Sequence, residues 1–556
     1  MKISSRFFSL ILLVPLELHA QQRASIRVDI NVELGGLSPN WAYFGYDEPN
    51  FTTMHDGEKL LGELSALSPA AVHVRTHNLL TSGDGTPALK WGATNAYTED
   101  ASGQPVYNWA ILDKIFDSYH AAGITPFVEI GFMPRALSVH PDPYQHTWPK
   151  GSLWTGWAYP PKDYRKWSEL VQEWVKHSVY RYGRKEVESW DWEVWNEPDI
   201  GYWQGTPEEY FKLYDFSADA IKRALPGARV GGPATTGPAS AKAAGFLRNF
   251  LVHCARGKNY DTGETGAPLD FISFHAKGSV RVTNGHVQMG IQPHLESIAK
   301  GFEIVASFPE FRRLPVVLSE SDPEGCAACS ISAHPEDAYR NTSQYASYNA
   351  AVLRYALELA DRYKINLQGI LTWAFEFEGQ PYFAGFRSLM TQGIGLPVLN
   401  GFRMFGLMSG ERIQAESSGA LSLDAVLNSG ARGAPEINAL ATRDDRGIRI
   451  LVWNYRDDDV SAPAATIDLS IAGMRSPRHR VLLQHYRVDR ATSNAYSVWR
   501  DMGSPQQPSA EQRARLESAG QLQAGDSPRW LSAVSDAMHV RFELPSQAVS
   551  LIQLSW

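Results

Sequence analysis

Short apolar segments alternate eight times with longer amphipathic ones between Trp41 and about residue 400, and this repetition constrains the fold more than any other feature. The short segments are Trp41–Tyr46, Ala71–Arg75, Ile124–Ile130, Ser189–Val194, Arg229–Gly232, Phe271–His275, Val316–Leu318 and Gly369–Ala374. The stretches between them have helical periodicity, as in Trp109–Ala122, Lys162–Tyr182, Thr206–Leu225 and Tyr345–Tyr363. Eight strand–helix units of this length favour an α/β fold of the (β/α)8 TIM-barrel type over an open doubly wound sheet.

A second domain is indicated by a change of pattern after about residue 430. Ile448–Trp453 and Met538–Leu544 read as strands of an antiparallel β-sandwich, the latter with polar and apolar residues in strict alternation. Ile26–Val32 alternates in the same way, unlike a barrel strand that is enclosed on both faces. We therefore predict a barrel over residues 36–410 and a discontinuous accessory β-sandwich formed by residues 21–35 and 411–556. Residues 502–529, rich in Gln, Ser, Gly and Pro, are predicted to form a long surface excursion.

The first 20 residues have the pattern of a secretory signal peptide. Lys2 and Arg6 flank the start of the apolar run Phe7–Leu16, and Ala20 is a small residue suited to cleavage. The run is too short to span a bilayer, and no other unbroken apolar run of spanning length follows. We therefore expect a secreted or periplasmic protein with no membrane partner. Its net charge of −8 also disfavours nucleic acid as a partner, because phosphates require a basic surface.

Three cysteines are too few for a disulfide-stabilised scaffold. Cys326 and Cys329 have CxxC spacing, which fits a loop disulfide, a pair of free thiols or half of a zinc site. In an exported protein we expect the disulfide, with Cys254 left as a buried thiol. The histidines show neither HExxH nor clustered ligand spacing, so no metal site is predicted and no cofactor is expected.

Two glutamates follow predicted strands at the end of the barrel where catalytic groups converge. Glu197 comes after the fourth strand in Trp195-Asn196-Glu197-Pro198, and Glu320 comes after the seventh. Either glutamate alone could cap a helix or lie in solvent. Together they supply what glycosidic cleavage needs, one protonated carboxyl group and one ionised carboxylate. Asn196 is placed to hold a sugar hydroxyl.

The segment Trp195–Pro198 resembles the acid/base signature of the clan of (β/α)8 retaining glycosidases that place the acid and the nucleophile after strands four and seven. Within that clan the chain is similar to glycoside hydrolase family 39, which includes β-xylosidases and α-L-iduronidases. The similarity also covers Val74–His77, Pro126–Pro134, Val230–Pro233, Phe274-His275 and Trp373. It implies that Glu197 is the general acid/base and Glu320 the nucleophile, with carboxyl groups roughly 5–5.5 Å apart and net retention.

The resemblance also implies a set of substrate-binding residues: His77, Phe132, Asn196, His275, Lys277, Trp373, Glu376, Glu378 and Arg387. The sequence His275-Ala276-Lys277-Gly278 departs from the xylosidase pattern, which has tyrosine two positions after the histidine. This His-x-Lys-Gly form and the Glu-x-Asp-Pro pattern of Glu320-Ser321-Asp322-Pro323 both resemble the iduronidase branch. There the lysine meets a uronate carboxylate, and Arg387 is similar to a second anion-contacting position. Lys277 could equally pair with Glu320 or a neighbouring acid such as Glu376, and either arrangement would favour an ionised nucleophile.

Aromatic residues are consistent with a sugar site, because the C–H faces of a pyranose pack on rings. Trp148, Trp154 and Trp157 lie in a loop after the third strand and are predicted to line the entrance. Trp167 and Trp174 lie seven residues apart on a helix and are predicted to be core.

These features together predict a secreted retaining exo-glycosidase, a β-xylosidase that hydrolyses xylo-oligosaccharides. Alternatives within the same class are an arabinose-releasing enzyme and an α-L-iduronidase-like enzyme that acts on uronides. Alternatives from other classes are a non-catalytic carbohydrate-binding barrel and a cell-surface adhesin. The oligomeric state is not readable from the sequence.

Overall fold

The computed structural model of the chain describes residues 22–146, 153–474, 480–532 and 536–556. Eight parallel strands close into a barrel in which each strand pairs with the next one along the chain. The barrel strands, numbered 1 to 8 in chain order, are Tyr43–Tyr46, His73–Thr76, Thr125–Ile130, Asp191–Val194, Arg229–Thr235, Phe271–Lys277, Pro315–Asp322 and Asn366–Trp373. Every predicted strand overlaps one of them, which confirms the (β/α)8 barrel. The predicted signal peptide, residues 1–20, lies outside the described residues.

A helix follows each barrel strand and covers the outside of the barrel. These helices are His55–Ser65, Ala110–Ala122, Tyr164–Tyr182, Pro207–Ala224, Ala241–Arg256, Ile291–Ala306, Ser343–Tyr363 and Pro397–Leu407. The helix after strand 4 begins with a capping box, since the Thr206 hydroxyl accepts a hydrogen bond from the Glu209 amide and the Glu209 carboxylate accepts one from the Thr206 amide. Pro207 at the first helical position completes this start.

Smaller elements decorate the loops. The helices are Arg184–Val187, Leu423–Ser429, Ala495–Asp501 and Ala510–Ala519. The 3-10 turns are Pro49–Phe51, Pro309–Phe311 and Pro335–Asn341. The paired strands are Tyr97–Glu99 with Pro105–Tyr107, Gln145–His146 with Leu153–Trp154, Arg281–Thr283 with His286–Gln288, and Met390–Thr391 with Ile394–Gly395.

The second domain is a nine-stranded sheet that is antiparallel except at one pairing. Its strands, in spatial order, are Gln523–Ser532, Arg480–Val488, Ala548–Ser555, Gly447–Tyr455, Glu436–Asp444, Glu411–Ser417, Arg23–Gly36, Ala465–Ala472 and Ala537–Leu544. The ring of His485, near one end of this order, lies 4.9 Å from that of Phe542 in the strand at the other end. The sheet therefore curls until its ends pack together, which is the predicted β-sandwich.

The strand Arg23–Gly36 lies inside this sheet. It pairs antiparallel with Glu411–Ser417 and parallel with Ala465–Ala472, so residues from both ends of the chain share one sheet. Its side chains alternate as the sequence pattern predicts, with Ala24, Ile26, Val28 and Ile30 buried in the sandwich core. Alternation arises because successive strand residues point to opposite faces.

The excursion predicted over residues 502–529 lies at the surface, but it has more regular structure than its composition indicates. It contains the helix Ala510–Ala519, and its last residues belong to an edge strand that pairs with Arg480–Val488. The helix begins with its own capping box at Ser509, a local signal that outweighs the turn-rich composition. Arg513 on this helix donates a hydrogen bond to the Tyr382 hydroxyl in the loop after barrel strand 8.

The barrel and the sheet share a packed interface. Asp457, fully buried, accepts hydrogen bonds from the backbone amide of Ile291 at the start of a barrel helix, from the Ala431 amide and from the Tyr455 hydroxyl. The ring of Tyr455 packs edge-on against Tyr348 of another barrel helix. The sheet thus holds two barrel helices in place through contacts that are both polar and aromatic.

Cys326 and Cys329 form the predicted disulfide in the loop after strand 7, and Cys254 is a buried free thiol. Among the described residues, no helix is both long and apolar enough to cross a membrane.

Candidate active site

The carboxyl ends of barrel strands 4, 6 and 7 bring the predicted catalytic residues together. In the register between strands 6 and 7, His275 lies beside Glu320 and Lys277 lies beside Asp322. Glu197 follows strand 4, where both Trp195 and Glu197 adopt the left-handed backbone conformation. The Glu197 amide donates a hydrogen bond to the carbonyl of Ala234 on strand 5, which fixes this turn against its neighbour.

Glu197 and Glu320 face one another across the barrel mouth with His275 between them. His275 Nδ1 lies 2.9 Å from Glu197 Oε1 and 3.8 Å from Glu320 Oε2. One oxygen of each carboxyl group and a nitrogen of His275 all lie within 4.8 Å of one another. Retaining glycosidases have carboxyl groups about 5–5.5 Å apart, whereas inverting enzymes leave about 6.5–9.5 Å for a water. These two carboxyl oxygens therefore lie closer together than the inverting range, as the retaining mechanism requires.

Positive charge surrounds Glu320. Lys277 Nζ lies 2.7 Å from Glu320 Oε2, and Arg75 Nη1 lies 3.2 Å from Oε1. Burial alone would raise the pKa of Glu320, but the neighbouring His275, Lys277 and Arg75 outweigh it and hold the pKa well below its usual value. The Glu320 carboxylate is thus kept ionised, as a nucleophile requires.

Arg75, at the end of barrel strand 2, organises the floor of the site. Its fully buried guanidinium donates to Glu193 Oε2 at 2.5 Å and to Asn196 Oδ1 at 3.0 Å, besides its contact with Glu320. The Arg75 Nη1 also lies 2.9 Å from His77 Nε2. Burial and the neighbouring Arg75 lower the pKa of His77 to about 4, so His77 is neutral at pH 7 and accepts this hydrogen bond. Asn196 is therefore oriented by Arg75, with its amide nitrogen free of any hydrogen bond to the described residues.

A second polar group lies beside His77. Asp47 accepts hydrogen bonds from His77 Nδ1 at 2.7 Å, from Lys90 Nζ at 2.8 Å and from Trp373 Nε1 at 3.3 Å. Burial opposes the charge of Asp47, but Lys90 and His77 hold its pKa well below its usual value. Phe132 forms an aromatic wall here, with its ring 5.7 Å from that of His77. These groups give the floor the mixture of flat apolar surface and fixed polar atoms that sugar sites use.

Three of the predicted substrate-binding residues are not brought to the catalytic pair. Arg387 is fully buried and donates to the Trp373 carbonyl at 2.7 Å and to Glu324 Oε1 at 2.8 Å. Glu376 is buried and accepts from the Gln392 amide, and burial raises its pKa to about 8. Glu378 accepts from the amide of Asp56 at the start of the first barrel helix. Each of these side chains binds a protein group in the loops after strands 7 and 8 or at the start of the first barrel helix.

The tryptophans divide largely as the sequence predicts. Trp167 and Trp174 are fully buried in the core. Trp154 is 46% exposed, whereas Trp157 is buried and packs edge-on against Trp91. Trp148 lies outside the described residues. Of the three predicted entrance residues, only Trp154 presents a large surface to solvent among those described.

Two groups of described residues have metal-ligand spacing. One is Glu197, His275 and Glu320, and the other is His55, Asp56 and Glu378. The first is the pair of carboxyl groups that glycoside chemistry requires, together with the histidine between them. The second includes the exposed His55, and exposed acidic groups are common without a metal.

Sequence reasoning missed four residues that the structure places around the catalytic pair: Arg75, Asp47, Lys90 and Asp322. Arg75 and Asp322 could have been found by the rule that identified the glutamates, because both stand at the carboxyl ends of barrel strands. Asp47 directly follows strand 1 and obeys the same rule. Lys90 lies in a long loop with no periodic pattern, and only the fold brings it to Asp47.

A closed (β/α)8 barrel with glutamates at the ends of strands 4 and 7 at this separation defines the class of retaining glycoside hydrolases. The chain belongs to glycosyl hydrolases family 39, whose model matches residues 24–533. It is therefore a glycoside hydrolase of the retaining, double-displacement type, and the family match covers the whole barrel and most of the sheet, whose last two strands follow residue 533.

Relatives of two activities are similar to this chain. A β-xylosidase of Geobacillus stearothermophilus is 28% identical over 472 residues, which cover 82% of this chain and 82% of that protein. An α-L-iduronidase of Mus musculus is 25% identical over 552 residues, which cover 92% of this chain and 77% of that protein. The relatives thus carry both of the activities that the sequence motifs suggest.

Solved structures share the fold. A GH39 enzyme from Xanthomonas axonopodis pv. citri superposes with a TM-score of 0.74 at 23% identity, over 98% of this chain and 99% of that one. A monomeric β-xylosidase from Caulobacter crescentus CB15 superposes with a TM-score of 0.72 at 24% identity, over 96% and 99%. These likenesses establish the two-domain architecture over nearly the whole chain.

Proposed function

We propose that this enzyme is a secreted exo-β-xylosidase that releases xylose from xylo-oligosaccharides, with Glu197 as general acid/base and Glu320 as nucleophile. The observation that carries the assignment of roles is the asymmetric environment of the two carboxyl groups. Glu320 is buried among Lys277, Arg75 and His275, which stabilise its charge. Glu197 touches only His275 among these groups and is more exposed.

In the first step Glu320 attacks the anomeric carbon, and a carbon–oxygen ester bond forms. The glycosidic bond breaks, and its oxygen takes a proton from Glu197, so that the alcohol product leaves neutral. The two carboxyl groups lie close enough to act on opposite sides of one anomeric carbon. Arg75 and Lys277 remain in place to stabilise the carboxylate when it is released again.

In the second step a water attacks the anomeric carbon from the side that the leaving group occupied. Glu197, now a carboxylate, takes one proton from this water, while the ester bond to Glu320 breaks and restores its carboxylate. The hemiacetal product keeps the anomeric configuration of the substrate. Both steps use the same two residues, and no further reactant besides water is needed.

A neutral pentose in the subsite next to Glu320 is supported by two observations. The relatives include β-xylosidases that cover most of this chain. Lys277, the cation that resembles a uronate-binding residue, already contacts both Glu320 and Asp322. A uronide substrate is the second candidate, favoured by the presence of an ammonium group beside the nucleophile and by the α-L-iduronidase relatives.

A panel of aryl glycosides tests the proposal. The wild-type enzyme should release the aryl alcohol fastest from the β-xyloside, and faster release from an arabinoside or a uronide would contradict the choice of sugar. Glu320→Ala should abolish turnover, with partial rescue by azide, which can enter the space left by the carboxylate and attack in its place. Retention of full activity by Glu320→Ala would contradict the nucleophile assignment.

The role of Glu197 has its own signature. Glu197→Ala should slow natural xylo-oligosaccharides far more than aryl xylosides with acidic leaving groups, because only poor leaving groups need a proton. Equal slowing of both substrate types would contradict the acid/base assignment. Asp191→Asn, a buried change at the opposite end of the barrel, serves as a control for general damage to the fold.

Export is also a proposal, and it rests on the signal-peptide pattern of residues 1–20. Expression of the full chain in a bacterial host should yield a mature protein that begins near Gln21, in the periplasm or medium. Recovery of the enzyme in the cytoplasm with residues 1–20 intact would contradict it.

A further inference from the structure

A groove lies between the loops that follow barrel strands 2 and 3, and we call it the strand-2/3 groove. Its volume is about 620 Å³, within the range of roughly 300–1,000 Å³ that is usual for small-molecule sites. Polar, charged and aromatic side chains line it, among them Ser82, Asn95, Tyr97, Arg135, Trp157 and Lys162. No residue of this set enters the two catalytic steps described above.

The barrel topology places the groove on the acid/base side of the active site. In the ring of eight strands, strand 3 lies next to strand 4, which leads to Glu197, and opposite strand 7, which carries Glu320. The groove also adjoins the Phe132 wall, because the Met133 amide donates a hydrogen bond to the Trp157 carbonyl at 3.1 Å. A leaving group departs from the face opposite the nucleophile, so it extends toward this side of the barrel.

Two cations in the groove have no carboxylate partner within the part of the chain that the structure describes. Arg135 is exposed, and its backbone is held by an amide hydrogen bond to the Ser82 hydroxyl at 3.0 Å. Lys162 is also exposed, and its Nζ reaches only the Ala136 carbonyl, at 3.4 Å. The Lys162 amide donates to the Leu137 carbonyl, so both cations are anchored to one turn. Each charge is thus fixed through its backbone and open to an anion.

Glu99, an acid near the groove, already has partners. It accepts hydrogen bonds from Lys166 Nζ at 2.7 Å and from the Tyr97 hydroxyl at 3.0 Å. Arg135 and Lys162 therefore leave a surplus of positive charge at this place, although the whole chain has a net charge of −8. Because an acidic protein as a whole repels anions, a local positive surplus in a groove indicates a site for an anionic ligand.

The other lining groups suit a sugar ring. The side-chain amide of Asn95 makes no hydrogen bond to the described residues, on a backbone held in the left-handed conformation. The Trp157 ring is fixed edge-on against Trp91, and its Nε1 donates to the Pro141 carbonyl at 2.9 Å. Sugars bind where flat apolar surface meets fixed polar groups, and a guanidinium forms a planar fork that matches a carboxylate. The combination indicates a sugar that carries a carboxylate.

We propose that the strand-2/3 groove is an accessory subsite for a uronate branch on the leaving-group part of a xylo-oligosaccharide, with Arg135 and Lys162 as its carboxylate contacts. The proposal rests on the proposed function, because a leaving-group subsite requires a glycoside that is cleaved between Glu197 and Glu320. It concerns the leaving group and does not depend on which sugar lies beside Glu320. An acidic branch next to the cleaved bond would then favour hydrolysis rather than block it.

The test compares xylotriose with the same xylotriose that carries a glucuronosyl branch on its second xylose. The measured quantity is the ratio of kcat/KM for the acidic substrate to kcat/KM for the neutral one. The wild type should give a ratio above one at low salt. Arg135→Gln combined with Lys162→Gln should lower the ratio about tenfold, the loss expected for two partly solvated ionic contacts. Glutamine keeps a polar side chain at both positions but removes the charge.

Lys242→Gln combined with Arg248→Gln is the matched control. Both residues are exposed on the outer helix Ala241–Arg256 after strand 5, and their replacement changes the net charge by the same amount. This variant should keep the wild-type ratio, because the two cations lie outside the groove. An unchanged ratio in the double variant of Arg135 and Lys162, or an equal fall in the control, would overturn the proposal.

Ionic strength gives a second measurement, on the wild type itself. The screening length falls from about 30 Å at 0.01 M salt to about 3 Å at 1 M. The ratio for acidic over neutral xylotriose should fall over this range, because the two cations are exposed. A ratio that does not depend on salt would overturn their role.

Failure of the proposed function has a different signature. If the wild type hydrolyses neither oligosaccharide, the proposed function is overturned. Calorimetric binding of both oligosaccharides to Glu320→Ala then decides on the groove without turnover. The acidic oligosaccharide should bind more tightly than the neutral one, and equal binding would overturn the proposal.

Discussion

Replacement of Arg75 by glutamine removes a guanidinium group that contacts four side chains of the active site. The guanidinium is fully buried and contacts Glu193 at 2.5 Å, His77 at 2.9 Å, Asn196 at 3.0 Å and Glu320 at 3.2 Å. It also lies over the Trp373 ring at 5.1 Å. Glutamine can replace at most one or two of these contacts and carries no charge, so two buried carboxylates lose a shared cation.

Two magnitudes follow from this loss. Breaking a buried ion pair by removing one partner costs about 3–5 kcal/mol of unfolding free energy, and Glu193 has no exposed surface through which water could compensate. The second effect is on Glu320, whose pKa is held low partly by Arg75. A cation at this distance lowers a carboxyl pKa by about 1–3 units, so its removal should raise the pKa of Glu320 by a similar amount.

The assay is the pH dependence of kcat/KM for an aryl β-xyloside, together with urea unfolding at neutral pH. Glu320 must be ionised to attack, so a higher pKa moves the acid limb of the profile to higher pH. The wild type should stay active down to the pH at which it unfolds. Arg75→Gln should lose activity at a higher pH, while it is still folded by circular dichroism.

Arg340→Gln separates the two effects. Arg340 is equally buried and pairs with Glu324 and Asp337, but it makes no contact with Glu320. The Arg340→Gln variant should lose a similar amount of unfolding free energy. The acid limb of its pH profile should stay at the wild-type position. If Arg75→Gln shows the same acid limb as the wild type, the argument that Arg75 keeps the nucleophile ionised is refuted.

Two further predictions concern stability. Replacing Cys326 and Cys329 by serine should lower the unfolding free energy by about 2 kcal/mol, the chain-entropy value for so short a loop. Wild type treated with reductant should match the variant in urea unfolding. An unchanged urea midpoint in the variant would contradict this prediction. Glu376 has a pKa of about 8 because it is buried, so the folded state favours the protonated carboxyl group. The stability that this protonated group contributes is lost as the pH rises from about 4.5 through 8. Glu376→Gln should therefore unfold at higher urea than the wild type at pH 9, by up to about 5 kcal/mol, but not at pH 4; the same difference at both pH values would contradict the assignment.

The sequence alone determined the architecture and the two glutamates. Local patterns suffice for this, because the period-two or helical spacing of apolar residues shows which face of a strand or helix is buried. A segment that follows a barrel strand, such as Trp195–Pro198, has a fixed place at the catalytic end of the barrel. The strand formed by residues 23–36 could be assigned to the sandwich for the same reason, since its alternation shows a half-buried strand. The helix Ala510–Ala519 was missed because composition hid a short capping signal.

The tertiary structure alone decided which charges meet. Lys277, Asp322 and Arg387 are 45 and 65 residues apart along the chain, and no local pattern specifies that the first is paired with the second or that the third holds it. Those pairings depend on the register of strands 6 and 7 and on the path of the loop after strand 8. Because a charge acts over a few ångströms, its role is set by its neighbours in space. A lysine that resembles a uronate ligand in sequence is thereby paired, in the fold, with the enzyme's own carboxylates.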